Sequence, residues 1–112
     1  SAPFHSTLMA SAAKRLKAEL ETVAVAPYSC PVVSNVEATP CQDESRVKGL
    51  LVEQVCAPVR WDDSILNMKE AGVTRYVEIG PGRVLSSLIK RIDRSAALQN
   101  IGDIASLKKL QK

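Results

Sequence analysis

Val73-Thr74-Arg75-Tyr76-Val77-Glu78-Ile79-Gly80-Pro81-Gly82-Arg83-Val84-Leu85 decides the fold of this chain. Val73 to Ile79 is rich in β-branched and aromatic residues and reads as a strand. Gly80-Pro81-Gly82 reads as a tight turn that needs the backbone freedom of glycine. Beyond it, Val84, Leu85, Leu88, Ile89 and Ile92 recur at helical spacing, with Arg83, Lys90, Arg91 and Arg94 largely on the other face. Leu98 to Ile101 reads as a further short strand, and Asp103 as the cap of a last helix through Ile104, Leu107 and Leu110. Strands that alternate with helices define an α/β chain with parallel pairing.

Upstream, Leu8, Ala12, Leu16 and Leu20 repeat every fourth residue, which predicts a helix from Thr7 to about Val23. Ser6 or Thr7 is the expected cap. Ala26-Pro27-Tyr28-Ser29 ends that helix. Cys30 to Val36 follows as an apolar run without strict alternation, the pattern of a strand buried on both faces of a parallel sheet. Glu37 to Asp43 is a loop. A second helix opens at Ser45 and stops near Ala57, because Pro58 disfavours helical backbone at the residue before it. A third opens at Trp61 and ends at Gly72, which suits the left-handed terminal position. So few confident strands leave edges unpaired and helix faces without cover, so the chain reads as one end of a larger sheet.

The 112 residues match one small domain, with 46% hydrophobic and 24% charged residues. A net charge of +3 is mild, and the basic residues are not interleaved with the aromatics, so a nucleic-acid partner is not expected. No apolar run is long enough to span a membrane, and no signal peptide is visible. The three cysteines, Cys30, Cys41 and Cys56, are odd in number and form no C-x-x-C pair; they read as reduced thiols of a cytoplasmic protein. With one histidine, no zinc set and no metal site is expected.

That one histidine is His5, within Ser1-Ala2-Pro3-Phe4-His5-Ser6-Thr7-Leu8-Met9. It is the only side chain whose unperturbed titration falls near neutrality, and so the first candidate for a general base. A nucleophile is missing: no G-x-S-x-G occurs. Gln54 falls in the last turn of the second helix, where carbonyls have no partner within the helix. Its backbone carbonyl is free to orient an imidazole by accepting one ring N–H, or to be satisfied by water or Arg60. Gly80-Pro81-Gly82 matches neither phosphate-loop pattern.

Four stretches in order, Ser1 to Met9, Pro31-Val32-Val33-Ser34-Asn35-Val36, Leu51 to Trp61, and Val77-Glu78-Ile79-Gly80-Pro81-Gly82-Arg83-Val84-Leu85, resemble the C-terminal part of the malonyl-CoA:acyl-carrier-protein transacylases. The resemblance covers essentially the whole chain, residues 1–112. It implies the C-terminal portion of an α/β-hydrolase-like large subdomain, with short parallel strands and flanking helices. The serine nucleophile and a ferredoxin-like subdomain would lie in the missing N-terminal part. It implies transfer of malonyl from malonyl-CoA to acyl carrier protein through an acyl-serine, in fatty-acid biosynthesis. By the same resemblance His5 is the general base, the backbone carbonyl of Gln54 orients it, and Phe4 lines the substrate pocket and favours malonyl over methylmalonyl. No bound cofactor is implied; coenzyme A thioester and the phosphopantetheine of the carrier are substrates. The alternatives are an acyltransferase domain of a polyketide synthase and a non-catalytic fragment that binds a partner. The segment alone is expected to be inactive. Arg83, Lys90, Arg91 and Arg94 are candidates for docking an acidic carrier.

Overall fold

The computed structural model describes residues 2–110. The chain divides into two compact units, one up to Ser64 and one from Ile65 onward.

In the first unit, Thr7–Met9 forms a single 3-10 turn that leads into helix α1, Ala10–Glu21. Neither Ser6 nor Thr7 caps it through a side chain. The Ser6 hydroxyl instead donates to the Pro3 carbonyl at 2.8 Å, a correction to the expected cap. Helix α2 covers Val47–Glu53 after a 3-10 turn at Glu44–Arg46, and α1 packs against it. Asp43 opens that turn by accepting the Ser45 N–H at 3.0 Å and the Ser45 hydroxyl at 2.6 Å. Ala13 on α1, with Leu50 and Val55 on and after α2, are buried and form the centre of this unit.

The run from Cys30 to Val36 departs from expectation. Only Val32–Val33, strand β1, is extended and paired, and it pairs antiparallel with Pro40–Cys41, strand β2. The ladder cannot grow. Pro31 has no N–H to contribute. After Val33 the chain turns, with the Ala38 N–H donating to the Ser34 carbonyl at 3.0 Å and the Glu37 N–H to the Ser34 hydroxyl at 3.2 Å. Val32 is exposed, so the run is not a strand covered on both faces.

Helix α3 spans Trp61–Glu70 and ends as expected at Gly72, whose φ of +89° is the left-handed conformation. Strand β3, Arg75–Ile79, is followed by helix α4, Val84–Ile92, and strand β4, Ala97–Ile101. β3 and β4 are parallel, with Glu78 opposite Asn100, and α4 touches both strands. The stretch from Val73 to Leu85 is thus the first half of a βαβ unit. Along β3, Tyr76 and Glu78 are half-buried while Arg75, Val77 and Ile79 are exposed, the two-residue period of a strand with one covered face. Ile79 is 80% exposed and Val84, in the first turn of α4, 69%. Apolar side chains left open in this way are what one end of a larger structure presents. Helix α5, Ile104–Leu110, follows β4, and the Asp103 carboxylate accepts the Ser106 N–H at 2.7 Å at its start.

Candidate functional site

His5 is held by two consecutive carbonyls that lie 49 and 50 positions later in the chain. Its ring Nδ1 is 2.8 Å from the carbonyl oxygen of Gln54. Its backbone N–H donates to the carbonyl of Val55 at 3.0 Å. A carbonyl oxygen only accepts, so the Nδ1 of this contact carries the proton. The other ring nitrogen, Nε2, is then the one with a free lone pair.

The two carbonyls project from the end of α2. Gln54 still has helical backbone angles, and the chain leaves the helix through a turn at Gln54, Val55 and Cys56. Carbonyls in a terminal turn have no acceptor role within the helix, which is what makes them available. His5 itself has a φ of +61°. A residue with a Cβ is rarely left-handed, and holding one there costs on the order of 1–3 kcal/mol. The two hydrogen bonds hold His5 in that conformation.

The structure therefore brings together His5 and the Gln54 carbonyl. Phe4, the third residue singled out from the sequence, lies beside them. Its ring centroid is 6.2 Å from that of His5, at 51°, and the residue is 59% exposed. His5 is exposed as well. Sequence reasoning missed Val55, whose carbonyl grips the His5 main chain. It also missed the left-handed backbone of His5, for which the residue pattern carries no signal.

The glycine turn in the second unit is a turn and a close approach. Gly80 and Gly82 have φ of +132° and +91°. The Gly80 N–H donates to the Ile101 carbonyl at 2.9 Å, and a Cβ on Gly102 would stand 3.3 Å from the Gly80 carbonyl oxygen. The basic residues Arg83, Lys90, Arg91 and Arg94 are exposed on and just beyond α4. Among the described residues, no group of three or more His, Cys, Asp or Glu side chains could hold a metal ion. Nor, among the described residues, is any helix long and apolar enough to cross a membrane.

Comparison with known proteins gives a consistent result. No protein-family model matches the chain. The malonyl CoA-acyl carrier protein transacylase of Bacillus subtilis (strain 168) is 44% identical over 94 residues, 84% of this chain and 30% of that protein. The crystal structure of MCAT from Streptococcus pneumoniae superposes with a TM-score of 0.90 at 42% identity, covering 98% of this chain and 36% of that one. A malonyl-transacylase solved in complex with its type II PKS acyl-carrier protein superposes with a TM-score of 0.89 at 38% identity, covering 97% of this chain and 35% of that one. The mixed helices and short parallel strands match those of these solved structures over nearly the whole of this chain. The chain belongs to the malonyl CoA-acyl carrier protein transacylase family. It spans about a third of the length of the curated relatives it matches.

Proposed function

We propose that this chain supplies the general base of a malonyl transferase of fatty-acid biosynthesis, with His5 as that base and the Gln54 carbonyl as its orienting acceptor. The observation that carries the reading is the 2.8 Å approach of the His5 Nδ1 to that carbonyl, in a chain homologous to such enzymes.

The serine nucleophile comes from the part of the protein outside these residues, and the two parts together make the site. Nε2 of His5 takes the serine hydroxyl proton as the oxygen attacks the thioester carbonyl of malonyl-CoA. The tetrahedral intermediate collapses, the C–S bond breaks, and the proton passes from Nε2 to the departing coenzyme A thiolate. In the second half, Nε2 takes the proton of the phosphopantetheine thiol of acyl carrier protein. The thiolate attacks the acyl-serine, and the serine oxygen leaves with that proton. Through both halves the other ring proton stays on Nδ1, donated to the Gln54 carbonyl. A neutral carbonyl fixes the tautomer, as a carboxylate does in a Ser-His-Asp triad. It does so without placing a negative charge near the malonyl carboxylate.

Phe4 stands beside this base and crowds the substrate α-carbon, which favours malonyl over methylmalonyl. Arg83, Lys90, Arg91 and Arg94 offer a basic face to an acidic carrier. The solved complex of a homologue with a type II polyketide carrier supports a second reading, in which the carrier served is that of a polyketide synthase.

The test is His5→Ala in the intact protein. We expect malonyl transfer to carrier to fall by about 10²–10⁴-fold. Transfer at the wild-type rate by that variant would overturn the reading, as would transfer by the isolated 112-residue chain.

A further inference from the structure

We infer that Pro58 is a positioning residue for His5, because it keeps the Gln54 carbonyl from being taken up by its own helix. This rests on the reading of His5 as general base.

In a continuous α-helix, the carbonyl of residue 54 accepts the N–H of residue 58. Position 58 is proline, which has no N–H. Proline also pushes the residue before it, Ala57, away from helical backbone, so the helix does not run on to Val59. The N–H groups between are all committed upstream. Gln54 donates to Leu50 at 3.1 Å and Val55 to Val52 at 3.3 Å. Cys56 and Ala57 both donate to Glu53, each at 3.1 Å. Every donor from 54 to 57 is thus used before the chain reaches a residue that has none. The carbonyls of Gln54 and Val55 are left over, and His5 takes both, one with its ring and one with its main chain.

The economy of the arrangement lies in one substitution of atoms. With any other residue at 58, an N–H would stand at the position from which a helix closes on Gln54. The imidazole would then share its acceptor or lose it. A ring that loses this bond is free to place its proton on either nitrogen and to rotate, and a fraction of molecules then present N–H, not a lone pair, to the nucleophile. Pro58 acts through Gln54.

The experiment is Pro58→Ala in the intact protein. We expect kcat to fall by about tenfold to a hundredfold, the cost of a misplaced reacting group. KM for malonyl-CoA should stay within about twofold, as for an interaction used in the transition state. In ¹⁵N-labelled protein, the hydrogen-bonded Nδ1 proton of His5 should weaken or vanish. N-methylalanine at position 58 has no N–H and no ring, and it should restore both rate and signal. Unchanged kcat and an unchanged Nδ1 proton in Pro58→Ala would overturn the proposal. So would an N-methylalanine protein that behaves as the alanine variant does. If Pro58→Ala loses its fold by circular dichroism, the N-methylalanine protein decides alone: a wild-type Nδ1 signal supports the proposal and its loss overturns it. Should His5→Ala transfer malonyl normally, the base reading falls, while the Nδ1 proton still reports on Pro58.

Discussion

Glu78 and Asn100 stand opposite each other in the parallel β3–β4 ladder, and Asn100 Nδ2 donates to Glu78 Oε2 at 2.9 Å. The same carboxylate accepts the Leu85 N–H at 3.0 Å, the Ser86 N–H at 2.8 Å and the Ser86 hydroxyl at 2.6 Å. One side chain therefore joins both strands to the first turn of α4, where the helix has N–H groups without partners and the dipole favours negative charge.

Those bonds, the Ser86 hydroxyl first among them, hold the Glu78 carboxyl below the ordinary glutamate range. Asp93 is held low in the same way, chiefly by the Ser95 hydroxyl, with Lys69 also donating at 3.2 Å. A group whose folded value is depressed adds stability above its unfolded value. That stability is lost as pH falls through the folded value. Glu78→Gln turns an amide NH₂ toward backbone N–H donors. It should lower Tm by several degrees at pH 7, and the gap to wild type should close as the pH drops below the carboxylate range. Thermal melts across pH check this; a gap that widens in acid contradicts it.

Ile65 is the largest side chain with no exposed surface in the described chain. Ile65→Val should destabilise by about 0.5–1.5 kcal/mol and Ile65→Ala by about 2–5 kcal/mol. Denaturant midpoints at constant m-value measure both. An alanine variant within about 1 kcal/mol of wild type would show that the site collapses around the loss.

Phe4→Ser in the intact protein should raise methylmalonyl-CoA use relative to malonyl-CoA. One methyl group is worth roughly 1–3 kcal/mol in a pocket, so the ratio of kcat/KM values should move by about tenfold to two-hundredfold. Competition between the two thioesters reads the ratio directly, and an unchanged ratio removes Phe4 from specificity.

The βαβ half of the chain was legible because its signals agree at every level. A β-branched run, a glycine turn and a helical repeat follow one another without conflict. The second helix was expected to run to near Ala57, but α2 ends at Glu53, because Pro58 marks where helix becomes impossible and not where it stops. The run from Cys30 to Val36 misled because an apolar run does not say how many of its residues find a ladder partner. Pro31 on one side and the Ser34–Ala38 turn on the other leave only Val32 and Val33 paired. At the candidate site, the residue types pointed to His5 and to a spare carbonyl at Gln54. The φ of +61° at His5 and the second carbonyl, from Val55, are consequences of tertiary closure that no local pattern encodes.

The 49-residue separation between His5 and Gln54 also sets an order in time. On the ribosome the histidine is made long before either carbonyl that aligns it. Until Val55 has emerged and the intervening helices have closed the loop, the imidazole has no preferred tautomer, and its main chain has no reason to stay left-handed. A nascent chain halted anywhere between these residues carries a complete histidine and no oriented imidazole. Protection of the His5 amide is therefore a report on the closure of this whole unit, read from its first few residues.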